Sequence, residues 1–395
     1  MSNGHGEDFS GALIGQALST LNFDVDALPL VGFGHAYSQA GIRTVGKTKE
    51  FSTGGLGYTS LSGRITELLQ GQVIYLAQRL FYLLSIASKY DLLVVIGDVV
   101  PVVAAWLTGL PVVTYLVAYS SHYEGQLKLP WPCLNCLSSG RFLSVLTRDQ
   151  LTADDLSTQL LRPAEFLGNP FMDPVLTHQV PLPRCNSRVG LIPGSRRPEL
   201  DNNLLLILSL FDLFPREKLN KSSLSFDMAL VPALSDVELI DLVAMKGWEL
   251  HGSDTNNGSA QLVRNHWKIN IHRDSFVNVL QSSDVLLCMA GTATEQAAGL
   301  AKPIVQLLGN GPQFTQAFAE AQQRLLGPTI FCAKGKVGEE LHLINTGQLI
   351  FDLLERIQTD SCLRQKCNEQ ALLRLGGKGG AEKIAKTISE LILCT

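Results

Sequence analysis

Residues 291 to 296, Gly-Thr-Ala-Thr-Glu-Gln, bring two hydroxyls, a carboxylate and an amide to one short stretch. They follow the apolar run Asp284-Val-Leu-Leu-Cys-Met-Ala290 and open a small-residue segment, 297–301. That order reads as a strand, a tight glycine turn and a helix start. The unpaired N–H groups and partial positive charge of a helix N-terminus suit a phosphate. Gly291, Thr292 and Thr294 are the candidates to hold it, and Glu295 or Gln296 the candidate to grip ribose hydroxyls. An ordinary glycine turn with threonine caps is the plainer alternative. Earlier in the chain, Val189-Gly-Leu-Ile-Pro-Gly-Ser-Arg-Arg-Pro-Glu199 supplies a second strand-to-loop junction. There Gly194 and Ser195 expose N–H groups and Arg196 suits bidentate pairing with phosphate oxygens. Arg197 and Glu199 read as a local ion pair, with Glu199 favourably placed at the next helix start. Gln313, in a Gly-Pro loop after an expected strand 304–308, is placed to reach sugar hydroxyls. Two such loops imply a nucleotide-sugar cradle.

The N-terminal half offers a different chemistry. His5 lies between Gly4 and Gly6, so backbone can approach a ligand closely while an imidazole projects toward it. As a general base it would take a proton from an acceptor hydroxyl; the plainer alternative is an exposed terminal histidine. Asp98 ends an expected buried strand, at the edge where open α/β sheets bind ligands. It reads as the base itself, as a group orienting His5, or as the N-cap of a helix at 101–107. These roles can coexist.

The elements that must position these groups follow from patterning. Strands are expected at 25–30, 92–96, 112–117 and 142–146, and helices at 9–20, 65–89 and 149–161. The second half repeats the alternation, with strands at 189–192, 225–231, 268–272, 285–288 and 304–308 and helices at 204–213, 236–246, 276–281 and 294–300. Strands separated by helices imply doubly wound parallel sheets, an α/β protein. Four prolines between 169 and 188 mark a boundary. The expected division is an acceptor-binding domain, 1–180, a nucleotide-sugar-binding domain, 187–375, and a C-terminal helix, 376–395. The opening glycine turn should follow a first strand, yet only Met1 precedes it. Either the given start is late or the first strand is missing, and the sheet is then expected to lack its central strand.

The chain has 395 residues, which fits two domains of roughly 180 to 200 residues. Hydrophobic content of 46% against 17% charged residues describes a well-packed globular protein. A net charge of -4 argues against a nucleic-acid partner. Eight scattered cysteines and no secretory signal point to a reducing cytoplasm. Cys133 and Cys136 form a lone C-x-x-C without a second pair, so no metal site is expected. The uncharged stretch 99–119 is long enough for a bilayer, but Pro101, Gly109 and Pro111 make a buried strand–helix–strand unit the better reading. The apolar stretch 58–89 reads either as a membrane-surface or acyl-chain element or as an ordinary core-facing helix.

Taken together, Pro-Gly-Ser-Arg-x-x-Glu at 193–199 and Gly-Thr-Ala-Thr at 291–294 resemble lipid-A-disaccharide synthase, a glycosyltransferase of the GT-B fold. The resemblance runs through nearly the whole chain. It is closest to the synthase-related group of cyanobacteria and plastids, which opens with Ser-Asn-Gly-His-Gly-Glu-Asp as here. Gly309-Asn-Gly-Pro-Gln-Phe-Thr315 and Arg374-Leu-Gly-Gly-Lys-Gly-Gly-Ala381 also fit that group. The resemblance implies two Rossmann-like domains facing across a cleft, with C-terminal helices packing back. It implies an inverting transfer of sugar from a UDP-sugar co-substrate to a lipid-linked acceptor in lipid A or glycolipid metabolism. No metal or further cofactor is implied, because helix dipoles and basic side chains neutralise the departing diphosphate. It matches Asp98 to an aspartate important for catalysis. The Gly-His turn instead resembles the glycolipid and peptidoglycan branch of GT-B transferases, where a His sits at the acceptor. His5 and Asp98 are thus the expected catalytic residues, with Gly4, Gly6 and Asp8 at the acceptor, in a cytoplasmic protein peripheral to the inner membrane face. Two departures stand out. The synthase's opening motif resembles Gly-Glu-Thr-Ser-Gly-Asp, and a Leu-Glu pair follows its Gly-Thr-Ala-Thr where Glu295-Gln296 stands here. A UDP-N-acetylglucosamine epimerase-like isomerase and a non-catalytic sugar-nucleotide or lipid binder remain the alternatives.

Overall fold

A computed structural model describes residues 1–46, 48, 72–214, 224–252, 260–311 and 314–394. The chain divides into two compact units, Met1–Asp173 with Gly376–Thr395, and Pro174–Leu375.

The first unit contains strands β1 (Asp26–Ala27), β2 (Arg43–Thr44), β3 (Leu93–Ile96), β4 (Val112–Leu116) and β5 (Phe142–Thr147). β1 pairs with β2, and β3, β4 and β5 pair in that order, all parallel. The expected absence of a central strand is corrected by the backbone at the very start of the chain. Ser2 forms parallel bridges to Pro29 on one side and Ile96 on the other. The Leu30 N–H donates to the Ser2 carbonyl and the Ile96 N–H to the Met1 carbonyl, each at 2.8 Å. Three residues therefore do the pairing of a central strand, and the order across the sheet becomes β2, β1, residues 1–3, β3, β4, β5.

The first helix starts earlier than the apolar spacing predicts, running His5–Thr20 rather than 9–20. The Asp8 N–H closes its first turn on the Gly4 carbonyl at 2.7 Å, and Glu7 and Asp8 favour the positive end of the helix. The uncharged stretch after β3 folds as the strand–helix–strand unit its prolines and glycine imply. Its helix is Val99–Thr108, Gly109 ends it at φ 80, and β4 is buried along its whole length. Among the described residues no helix is long and apolar enough to cross a membrane. Of the long helix expected over 65–89, residues 72–86 are helical and 87–89 form a short 3-10 turn; 65–71 lie outside the described residues.

The second unit builds one sheet from β6 (Ser187–Ile192), β7 (Leu224–Ala229), β8 (Glu249–His251), β9 (Gln261–Arg264), β10 (Trp267–His272), β11 (Val285–Cys288), β12 (Ile304–Gln306) and β13 (Ile330–Cys332). The order is β13-β12-β11-β6-β7-β10-β9-β8. The strands from β13 to β10 pair in parallel, whereas β9 and β8 pair antiparallel at the edge. β8, β9 and β13 are additions to the sequence expectation, since each is short and half-exposed or flanked by polar residues. The helix expected at 204–213 runs Glu199–Leu210, directly after the Arg196-Arg197-Pro198 loop. A polar pin crosses the parallel strands: Arg188 Nε and Asp227 Oδ2 meet at 2.8 Å, and His272 Nε2 lies 2.8 Å from Asp227 Oδ1. Burial opposes ionisation of Asp227, but the bonds from His272 and Ser225 and the Arg188 charge hold it below the usual carboxylate range.

The glycine break in the C-terminal region belongs to the first unit. The Asp173 carboxylate accepts N–H groups from Gly379 at 2.6 Å, Gly380 at 3.1 Å and Ala381 at 2.9 Å, capping the Gly380–Cys394 helix. A Cβ on Gly380 would come within 2.8 Å of the Gly168 carbonyl carbon, so only glycine allows this approach. The helix then packs along His5–Thr20. Asp173→Ala removes a charge-assisted cap and is expected to destabilise the protein by about 1–2 kcal/mol. Urea unfolding would show it, with amide exchange accelerated in residues 381–388; unchanged protection there would disprove the capping role.

Candidate functional site

In the second unit the sheet reverses its winding between β6 and β11. β7 and β10 extend one way from β6, and β12 and β13 the other way from β11. Such a switch point, at the carboxyl ends of the strands, is where open α/β sheets bind ligands. The register brings Ile192 level with Cys288, so the loops after both strands emerge side by side. They touch through backbone. The Met289 N–H donates to the Ile192 carbonyl at 2.8 Å, and a Cβ on Gly194 would lie 2.9 Å from the Met289 carbonyl oxygen. Gly194 also has φ 104, a region that glycine enters without strain. The two glycine turns read from sequence are therefore adjacent, and both lead directly into helices, Glu199–Leu210 and Thr292–Gly299.

The side chains divide by exposure. Ser195 and Arg196 are exposed, and Arg196 makes no side-chain hydrogen bond or ion pair among the described residues. Arg197 does not pair with Glu199, which corrects the expected local ion pair. Its guanidinium instead bonds both Asp201 oxygens at 3.0 Å and Glu238 at 2.5 Å. The reason is helical geometry: Asp201 lies one turn on, and Glu238 arrives from the Asp236–Ala244 helix. Glu199 is the first residue of its helix, as expected.

Around the second turn, Thr292 is exposed at the helix mouth. Thr294 is fully buried and its hydroxyl donates back to the Ala290 carbonyl, so it shapes the turn from inside. Glu295 is half-buried, whereas Gln296 is 6% exposed, which leaves Glu295 the more accessible of the pair. Beneath them, burial pushes the Cys288 thiol up to about 12, with Thr294 opposing. A crevice beside the turn is lined by Ala290, Gln306, Leu308, Phe314 and Thr315. Gln313 lies outside the described residues.

Two groups here escaped the sequence reading. Asn203 is buried beneath the first loop, with Nδ2 donating to the Pro193 carbonyl at 2.8 Å. His342, also buried, accepts the Leu308 N–H on Nε2 at 3.2 Å, pinning the chain as it leaves β12. Burial lowers the His342 pKa, which favours the neutral, accepting imidazole. Neither sits in a motif, and their partners are remote in sequence.

The first unit has its own reversal, between residues 1–3 and β3, and Asp98 stands there. Its carboxylate caps the Val99–Thr108 helix through the Val100 N–H at 2.9 Å and accepts from Asn3 Nδ2 at 3.1 and 3.0 Å. Burial raises its pKa, against those bonds. Gly4 is the N-cap of the first helix in an extended conformation, His5 and Gly6 open that helix, and the side chain of His5 lies outside the described residues. Glu7 was not singled out from sequence, yet a Cβ on Gly4 would lie 2.5 Å from its Oε2 and one on Gly97 3.5 Å from its Cγ. Asp8 faces inward at 2% exposure, bonded by the Ser2 hydroxyl, which in turn accepts from Tyr37 at 2.8 Å. Burial pushes its carboxyl up to about 6. Cys133 and Cys136 are buried free thiols, and no cluster of metal-ligating side chains occurs among the described residues.

No protein-family model and no curated protein matches the chain. Solved structures do. The calicheamicin glycosyltransferase CalG4 aligns with a TM-score of 0.57 at 15% identity, over 99% of this chain and 97% of that one. A UDP-N-acetylglucosamine 2-epimerase, so named as putative, from Listeria monocytogenes aligns at 0.55 and 13% identity, over 100% and 96%. The S. aureus MnaA–UDP structure aligns at 0.54 and 13% identity, over 100% and 97%. At such identities the likeness concerns the fold, and the fold is GT-B, α/β with parallel sheets.

Gly194→Ala tests the loop contact. The methyl would meet the Met289 carbonyl at a φ that L-residues avoid, and a loss of about 1–3 kcal/mol is expected in denaturant unfolding. Wild-type stability in that variant would show that the two turns are not packed as described.

Proposed function

We propose that the chain is a glycosyltransferase moving a sugar from a UDP-sugar to a lipid-linked acceptor, in the manner of lipid-A-disaccharide synthase. The observation that carries the nucleotide half is the side-by-side placement of two glycine turns at the β6/β11 reversal, with an unengaged Arg196 beside them. In this reading Gly194, Ser195, Gly291 and Thr292 present N–H and hydroxyl donors to the diphosphate, and Arg196 adds a cation. Glu295 takes the ribose hydroxyls, with Gln296 behind it, and Gln313 reaches the sugar. Thr294 supports the turn from within.

The first unit takes the acceptor near Gly4 and Gly6, while Asp8 braces the opening turn through Ser2. A base, His5 or Asp98, removes the acceptor hydroxyl proton as that oxygen attacks the anomeric carbon. The bond to UDP breaks on the opposite face, which inverts configuration. The raised pKa of Asp98 suits a base, since a carboxylate of ordinary acidity accepts protons poorly near neutrality. Positive charge and helix N-termini stabilise the leaving diphosphate without a metal. A lipid acceptor places the enzyme at the cytoplasmic membrane surface.

A second reading, a UDP-N-acetylglucosamine 2-epimerase-like isomerase, is favoured by the fold likeness to such epimerases. An epimerase converts its UDP-sugar without any acceptor. Incubating the protein with UDP-N-acetylglucosamine, with and without lipid extract, separates the two by product. UDP release that requires lipid supports transfer; an isomerised UDP-sugar in its absence supports epimerisation. A neighbouring rhamnosyltransferase, SpnG, was solved with thymidine diphosphate, so the base needs its own test. UDP at a hundred times its Kd should stabilise the protein by about 2.7 kcal/mol, with thymidine diphosphate giving less. Arg196→Ala is expected to weaken UDP roughly tenfold to a hundredfold, whereas Arg197→Ala, already engaged by carboxylates, leaves it unchanged. The reverse ranking would refute the assignment of Arg196.

A further inference from the structure

Asn203 lies inside the second turn of the Glu199–Leu210 helix and is 1% exposed. Its Nδ2 holds the Pro193 carbonyl at 2.8 Å. Its Oδ1 has no hydrogen-bond partner among the described residues and sits where a Cβ on Gly309 would approach to 3.2 Å. A buried amide whose oxygen finds no partner among them carries a cost, so packing alone gives little reason for one here.

The peptide that Asn203 grips is the one that leads into the first glycine turn. In a trans peptide the carbonyl and the following N–H point in opposite directions. The cis bonds among the described residues are those at Pro132 and Pro198, so the Pro193–Gly194 bond is trans. With the Pro193 carbonyl drawn inward to Asn203, the Gly194 N–H is turned the other way. No backbone carbonyl among the described residues accepts from it. If the same peptide were flipped, a carbonyl oxygen would face the ligand position, losing a donor and adding repulsion toward an anion. A flip would carry Gly194 from its φ of 104 to the negative side, and glycine occupies both regions freely, so the backbone by itself does not choose.

We propose that Asn203 is a positioning residue that sets this choice, holding the Gly194 N–H toward the diphosphate of a nucleotide sugar. The proposal rests on the nucleotide-sugar reading above and adds to it the residue that orients the donor. Asn203 touches no ligand itself. Its effect is confined to phosphate recognition, because in that reading the ribose falls to Glu295 on the other turn. Asn203→Asp is nearly isosteric but replaces the donor with an acceptor, which repels the Pro193 carbonyl and attracts the Gly194 N–H inward. Asn203→Ala removes the grip without imposing the flip.

Calorimetric titration of wild type and both variants with UDP and with uridine tests it. UDP affinity is expected to fall roughly tenfold to a hundredfold in Asn203→Asp, the worth of a charge-assisted hydrogen bond, and less in Asn203→Ala. Uridine affinity stays at the wild-type level in both. A merely structural asparagine would weaken both ligands together, and that parallel loss overturns the proposal, as does full UDP affinity in both variants. If Asn203→Asp does not fold, the UDP-to-uridine ratio in Asn203→Ala separates the same two outcomes. Wild-type protein that binds no UDP removes the nucleotide-sugar reading itself, whereas UDP binding without a diphosphate-specific loss removes only the role of Asn203.

Discussion

A parallel strand ends with backbone groups that its neighbours no longer pair, and this constraint organises both units. At the β6/β11 reversal the two strands end level, and their loops meet backbone to backbone through Gly194 and Met289. No side chain fits between them. The closeness leaves the N–H groups of the turns and the following helix starts gathered over a small area, where positive potential accumulates. Everything proposed for the nucleotide depends on that approach.

Around this framework, polar side chains fall into those engaged inward and those left at the surface. Thr294 and Asn203 are buried and bond backbone of the turns, and buried His342 bonds the chain leaving β12, while Arg196 and Thr292 stay exposed. Arg197 shows how neighbours in sequence separate in role: two carboxylates hold it, while Arg196 beside it is unengaged. The first unit follows the same logic. Asp8 is turned inward to Ser2, whereas Asp98 combines a capping bond with a raised pKa at the reversal beside β3.

The C-terminal helix adds a structural use of glycine distinct from ligand approach. Gly168 and Gly380 let two segments of backbone touch, and Asp173 gathers three N–H groups at the junction. The glycine run at 376–380 is thereby explained by docking within the first unit, with no ligand required.

Much of this was legible in the chain itself. Buried parallel strands are continuous apolar runs, so β4, β6 and β11 were read nearly to the residue, and prolines with glycine marked the stretch 99–119 as part of a sheet. Glycine turns followed by hydroxyls announced that helices follow, because local backbone demands appear as local residue types, although the starts expected at 204 and 294 fall later than those found at 199 and 292. What sequence could not show was anything settled by remote partners. Short edge strands such as β8 and β13 exist only because a neighbour pairs with them, and residues 1–3 act as a central strand only because β1 and β3 flank them. The inward grip of Asn203, the pairing of Arg197 and the placement of Glu7 over Gly4 likewise depend on which segments the fold brings together. Residue type and spacing determined the turns and the alternation of elements; tertiary structure alone decided which polar groups stay free, since hydrogen bonds are allotted by distance in space.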